Sequence, residues 1–129
     1  MTKKSLWGDL RELEEVKFPK NHLQEQARLL SEATDYVLNC EVPQVLTAAS
    51  GNFVYQLDII APALNSYSYT ILEISHGIDP YPLRLTDFVN QRGSIECKDE
   101  ESFLEMLGSI LSSTSVRRII ELLLSQSKS

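Results

Sequence analysis

The hydrophobic positions near the start of the chain recur every three or four residues. They are Leu6, Leu10 and Leu13, and most of the neighbouring glutamates fall on the opposite side of a helical projection. This spacing is typical of an amphipathic helix with one apolar face. We therefore predict a first helix from Ser5 to about Lys17, ended by the Phe18-Pro19 pair, because proline disfavours a helical conformation in the residue before it.

A second helical stripe is clearer. Its members are Leu23, Ala27, Leu30, Thr34 and Val37. Asn21 is a favourable N-cap residue, and Gln24 stands three residues later, as in a capping box. We expect this helix to begin after Asn21 and to end near Asn39.

From Cys40 onward the residues favour β-strands. Val42, Val45 and Leu46 are β-friendly, and Pro43 among them indicates an edge strand or a bulge, since proline donates no ladder hydrogen bond. A tight turn is predicted at Ser50-Gly51-Asn52.

Two longer strands follow, at residues 53–60 and 67–76, joined by the loop 61–66. Side chains alternate across a strand, so the odd positions of the first strand face the core. These positions are Phe53, Tyr55, Leu57 and Ile59. With Ile60 opposite Tyr67, the other face is mixed, and a slip of one residue would bury Asp58 or Glu73.

The last part of the chain predicts two short strands and two helices. The strands are Leu83–Thr86 and Ser94–Lys98; Asp99 is the N-cap of the first helix, and Ser112–Ser115 separates it from the second. No linker or repeat interrupts residues 1–129. The expected fold is a single α+β domain, with an antiparallel sheet of about four strands covered on one face by the N- and C-terminal helices.

The net charge and the positions of the basic residues argue against binding to nucleic acids or to anionic membranes. Twelve Lys and Arg residues face eighteen Asp and Glu residues, giving a net charge of -6. The basic residues are scattered, whereas nucleic-acid and anionic-membrane binders concentrate them. No apolar run approaches the ~20 residues of a membrane span. With only two cysteines and no secretory leader after Met1, a cytoplasmic location with reduced thiols is expected.

His76, at the end of a predicted strand and just before Gly77, is the first candidate for a catalytic residue. With Cys97 or Asp79 it would form a Cys-His or His-Asp pair, and an enzyme site would place it in a pocket with Asp79, Tyr81 or Asp58. The favoured alternative is a histidine that closes the strand by a hydrogen bond to the turn, because no nucleophile motif is present. The cysteines and histidines lack zinc-ligand spacing, and the glycines are too far apart for a phosphate loop. We predict no catalytic residue, metal or cofactor.

The mixed sheet face is the predicted binding surface. It comprises Gln56, Asp58, Tyr67, Tyr69 and Glu73, with His76 and Tyr81 beside it. Tyrosine is enriched at protein interfaces. The alternative is that a helix covers this face and the tyrosines are core. A homodimer could use an edge strand or the C-terminal helix, where Leu122–Leu124 points around most of a turn.

Several segments resemble small bacterial cytosolic proteins of unknown function. They are Leu23–Ala27 leading to Thr34, Ala61–Leu64 with Tyr67 and Tyr69, and Tyr81–Leu83. The resemblance implies a bacterial cytosolic protein and brings no activity with it. We interpret the chain as a small acidic, non-enzymatic binding or regulatory protein of the immunity, inhibitor or accessory type. The alternative is a small enzyme or ligand-binding domain that uses a pocket around His76.

Overall fold

The computed structural model of this protein describes residues 5–45 and 51–129. Strands with alternating buried and exposed side chains form an antiparallel sheet in these residues. Within these residues the strands are β1 (Asn39–Glu41), β2 (Gln44–Val45), β3 (Phe53–Ala61), β4 (Tyr67–His76), β5 (Leu83–Asp87) and β6 (Gly93–Cys97). The order is β1-β3-β4-β5-β6, and β2 also pairs with β3. The α+β class is confirmed. The described sheet has six strands rather than about four, because short strands form on both sides of Pro43.

Three helices accompany the sheet in the described residues. They are α1 (Pro19–Ala33), α2 (Glu100–Leu111) and α3 (Thr114–Ser127). Their buried side chains join those of the strands in one hydrophobic core, in which Leu23, Ile59 and Phe103 are almost fully buried. The predicted N-cap Asp99 is confirmed, since its carboxylate accepts a hydrogen bond from the Ser102 amide at 2.8 Å.

The second predicted helix is real, but both of its predicted ends are wrong. Proline occupies the first helical position, where its missing N–H is not needed. Asn21 therefore lies inside the first turn, and its side chain accepts a hydrogen bond from the Phe18 amide at 2.9 Å. The helix ends at Ala33, because Asp35 and Tyr36 adopt positive φ angles of 52° and 62°.

The first predicted helix is absent, which corrects the interpretation of residues 5–17. Only a 3-10 turn at Leu10–Glu12 forms there, and Gly8 has a φ of +76°. Every residue of the segment is exposed. An isolated helix of this length is marginal in water, so an apolar stripe forms a helix only when it has a surface to pack against.

The pairing of β3 with β4 contains a β-bulge at Ile71. Leu57 lies opposite Leu72, whereas Asp58 lies opposite Thr70. Ile71 therefore has no partner across the ladder, and its carbonyl accepts a hydrogen bond from the Phe88 amide at 3.1 Å instead. The extra residue lets two consecutive side chains of β4 be buried.

The bulge changes which side chains share a face. Tyr67 and Tyr69 lie opposite Ala61 and Ile59, so they share the face of the core and not the mixed face. The predicted pairing of Ile60 with Tyr67 is wrong for the same reason. Tyr69 is half-buried against the core, whereas Tyr67 is 49 % exposed.

The strands of the C-terminal half agree with the prediction. β5 and β6 form near the predicted positions, with Cys97 buried and Ile95 half-buried. The break between α2 and α3 falls within the predicted serine-rich segment, where Ser113 caps α3. Two predicted positions, Leu46 and Ser50, lie outside the described residues.

Asp87 is buried at the end of β5 and organises the turn that follows. Its Oδ1 accepts hydrogen bonds from the amides of Val89 and Asn90 at 3.1 and 3.0 Å. Its Oδ2 accepts one from the Asn90 side chain at 3.0 Å, and the Arg92 guanidinium lies 3.6 Å away. A buried carboxylate is tolerated here because its oxygens are satisfied.

Replacing this carboxylate tests the account. The variant Asp87→Ala should lower the free energy of unfolding by about 2–4 kcal/mol, since the two part-buried amides of Val89 and Asn90 lose their acceptor. Urea denaturation followed by circular dichroism measures the change. The exposed Asp79→Ala is the control, with an expected change within about 0.5 kcal/mol. Equal midpoints for the two variants would contradict the role assigned to Asp87.

Candidate functional site

His76 ends β4 and is 3 % exposed. Its Nδ1 lies 2.8 Å from the carbonyl oxygen of Gly77. Because a carbonyl only accepts, Nδ1 carries the proton, and Nε2 of the neutral ring is left as an acceptor. Nε2 is buried and has no hydrogen-bond partner in the described part of the chain. Such an orphaned polar atom is uncommon in folded proteins.

Aromatic rings surround this histidine. The ring centroids of Phe18 and Phe53 each lie 5.8 Å from that of His76, and the Tyr55 centroid lies 6.2 Å away. The antiparallel register places Phe53 directly opposite His76, and the start of α1 supplies Phe18. The Lys20 ammonium sits 5.6 Å from the Tyr55 ring centroid, within cation–π distance.

These side chains enclose a hollow of about 180 Å³, which we call the His76 pocket. It is lined by Phe18, Lys20, Phe53, Tyr55, His76 and Ile78. An engineered protein cavity of ~150 Å³ accepts benzene, so the hollow has room for one ring-sized group. The pocket is therefore mainly apolar, and His76, one of its lining residues, has an unused hydrogen-bond acceptor.

The residues considered as catalytic partners of His76 make other contacts. Tyr81 packs against Phe103 with a centroid distance of 6.4 Å, and Asp79 is exposed. Burial, followed by the charges of Glu100, Cys97 and Asp99, raises the pKa of Tyr81 to about 12. The hydrogen bond of His76 goes to the turn, as the second interpretation of this residue predicts.

The predicted binding surface is divided by the structure. Gln56, Asp58 and Glu73 occupy the sheet face away from the core and are half-buried. The Gln56 amide donates to Glu73 at 3.3 Å, and the Thr70 hydroxyl donates to Asp58 at 2.8 Å. These acids are partly satisfied by their neighbours. Tyr67 and Tyr69 lie on the opposite face.

A second depression, which sequence reasoning missed, runs between the helices. We call it the helix groove and define it by Gln26, Leu29, Leu104, Leu111, Arg117 and Ile120. A cavity of about 230 Å³ opens onto Leu57, Ile59 and Ile71 of the sheet, and hollows of about 370 and 310 Å³ adjoin it. The only sequence signal was the excess of leucines beyond the main stripes of α1 and α2.

Cys40 lines the same cavity. Burial, with smaller effects from the carboxylates of Asp58 and Glu41, raises the pKa of its thiol to about 12. Burial also raises the pKa of Cys97. Both cysteines are free. The arrangement keeps Cys40 a neutral thiol, which is a poor nucleophile.

Comparisons with family models, with curated proteins and with solved structures found no match. Among the described residues, no group of histidine, cysteine, aspartate or glutamate side chains is arranged to hold a metal ion. No helix within residues 5–45 and 51–129 combines the length and apolar character needed to cross a bilayer.

Stability at alkaline pH tests the environment of Cys40. At pH values above 9.0, the ordinary thiol pKa, the Cys40 thiol stays protonated in the folded state. In the unfolded state it loses its proton at these pH values. Stability should therefore be fully retained below pH 9 and fall as the pH rises towards 12.

The measurement is the urea midpoint of the natural protein and of Cys40→Ala from pH 7 to pH 11. The variant should lose stability less steeply above pH 9, and the two slopes should agree below pH 8, which is the internal control. Parallel curves throughout would show that the thiol is not buried as described.

Proposed function

We propose that this chain is a small acidic, non-enzymatic binding protein whose His76 pocket receives a tryptophan side chain from a protein partner. The orphaned Nε2 of His76 carries the proposal, because a buried acceptor recovers its lost hydrogen bond only from a bound donor. Indole supplies one N–H donor on an apolar ring. Tryptophan is also one of the residues enriched at the energetic hot spots of protein interfaces.

The surroundings of the pocket support a protein partner over a small free ligand. Ile78 and Phe53 are exposed at its rim, which offers apolar area around the inserted ring. The net charge of -6 would speed the encounter with a basic partner. An enzymatic role has less support, since no carboxylate or thiol is hydrogen-bonded to His76 in the described residues.

The remaining expectations belong to the same proposal. The free cysteines support a cytoplasmic location. A bacterial source is supported by the sequence resemblance alone. We take the three helices to cover one face of the sheet, which the shared core supports, and the polar face to stay open to solvent.

A tryptophan analogue tests the pocket directly. The probe is N-acetyltryptophanamide, compared with its indole N-methylated analogue, which keeps the ring and loses the donor. NMR of protein labelled with ¹⁵N in histidine should show a shift of His76 Nε2 on titration. The natural probe should bind about 3- to 10-fold more tightly than the methylated one, the effect of one hydrogen bond of ~1 kcal/mol.

Two variants provide the controls. His76→Phe keeps an aromatic wall but removes the acceptor, so it should bind both probes equally. His22→Gln changes the only other histidine, whose Nε2 lies 3.1 Å from Glu100, and should retain the difference. If the natural protein binds both probes equally, or binds neither up to their solubility limit, the proposed function is wrong.

A further inference from the structure

Residues 5–17, which we call the N-terminal arm, expose apolar side chains without covering them. Leu6 is 94 % exposed and Trp7 is 82 % exposed. The hydrogen bonds of the arm are local, and its one ion pair with the rest of the described chain is Lys17 with Glu25 at 3.8 Å. Large apolar side chains concentrated in one exposed segment indicate a binding sequence.

The spacing of these side chains identifies the kind of contact. Leu6, Leu10 and Leu13 occupy positions i, i+4 and i+7 of a helical turn pattern. This is the anchor spacing of amphipathic helices that bind in apolar grooves. Such segments stay unfolded when free and form a helix on binding, because the groove supplies the apolar surface that the isolated helix lacks.

The helix groove has the matching chemistry. Leu29 and Leu104 are exposed along its rim, and the core strands form its floor. Arg117 lies at the junction of the adjoining hollows and has no ion-pair partner among the described residues. Its neighbour Arg118, by contrast, is 2.7 Å from Glu121. The groove thus presents one positive charge without an ion-pair partner among the described residues, beside aliphatic side chains.

We propose that the helix groove of one molecule binds the N-terminal arm of a second copy of this chain as an amphipathic helix. The glutamates Glu12, Glu14 and Glu15 give the arm negative charges that complement the positive charge of Arg117. This contact uses neither His76 nor its pocket. Its success or failure is therefore independent of the proposed function.

The geometry at Phe18 favours a second copy over the arm's own groove. The Phe18 amide is bonded to Asn21, and its ring lies 5.8 Å from His76. Gln26 is seven positions after Pro19, so the groove begins ~10 Å along α1. An arm entering its own groove would have to reverse direction immediately before this anchored residue, whereas an arm from another molecule has no such constraint.

The arm carries its own probe, because Trp7 is the only tryptophan in the sequence. Its fluorescence should shift to shorter wavelength as protein concentration rises, since docking removes the indole from water. Sedimentation equilibrium on the same samples should show the mass changing from monomer to dimer over the same range. A monomer with unshifted emission at every concentration would overturn the proposal, and so would a blue shift at constant monomer mass.

Matched leucine variants locate the contact. Leu10→Ser in the arm and Leu29→Ser in the groove should each weaken dimerisation by at least ~10-fold, the effect of one buried leucine side chain. Leu122→Ser is the control, because Leu122 is 49 % exposed, similar to Leu29 at 43 %, but lies outside the groove. A dimer weakened only by Leu122→Ser would overturn the proposal.

Charge reversal and mixing complete the test. Arg117→Glu should weaken the dimer more than Arg118→Glu, which makes the same charge change one residue further along α3. Mixing full-length Leu10→Ser with full-length Leu29→Ser should restore part of the dimer, because one intact arm then meets one intact groove. Failure of both predictions would exclude the exchange of arms.

Discussion

The pairing of β3 with β4 is the constraint on which the rest of the structure depends. Beyond the bulge at Ile71, the register places Phe53 opposite His76 and Tyr55 opposite Ile74. The same register buries Ile71 and Leu72 together, and both belong to the hydrophobic core that the strands and helices share. A different register would move alternate side chains to the other face and separate the rings that now surround His76.

Two depressions result from how the helices meet this surface. The start of α1 lies near the end of β4 and supplies Phe18 and Lys20 to the His76 pocket. Further along, Leu57, Ile59 and Ile71 line the floor of the helix groove, to which α1 and α3 contribute Leu29 and Ile120. The first depression is lined by aromatic side chains and His76, and the second by aliphatic side chains and Arg117, so they suit different occupants.

Sequence patterns predicted those parts of the fold that depend on local alternation and capping. The limits of β4, the buried odd positions from Tyr55 to Ile59 and the N-cap Asp99 were all readable from neighbouring residues. The tyrosines were misplaced because a bulge has no distinctive composition in this strand. The helix predicted for the arm is absent because helical spacing of apolar residues indicates only a preference for a helix. A segment of this length forms a stable helix only when it packs against a surface.

The candidate site was less predictable than the fold. His76 was singled out, and its hydrogen bond to the turn was one of two interpretations. The rings around it come from Phe18, the N-cap residue of α1, and from β3, and only chain folding brings these to the end of β4. The groove joins residues as distant as Gln26 and Ile120, which no spacing rule connects.

By itself, the sequence determined the class of the fold, the identities of the two central strands and the acidic charge, because alternation, capping and composition act between near neighbours or over the whole chain. Tertiary structure alone decided which face each tyrosine occupies, that Nε2 of His76 is buried without a partner among the described residues, that the arm is exposed, and that a groove lies between the helices. These properties depend on register and on burial, which are set by contacts between segments far apart in the chain.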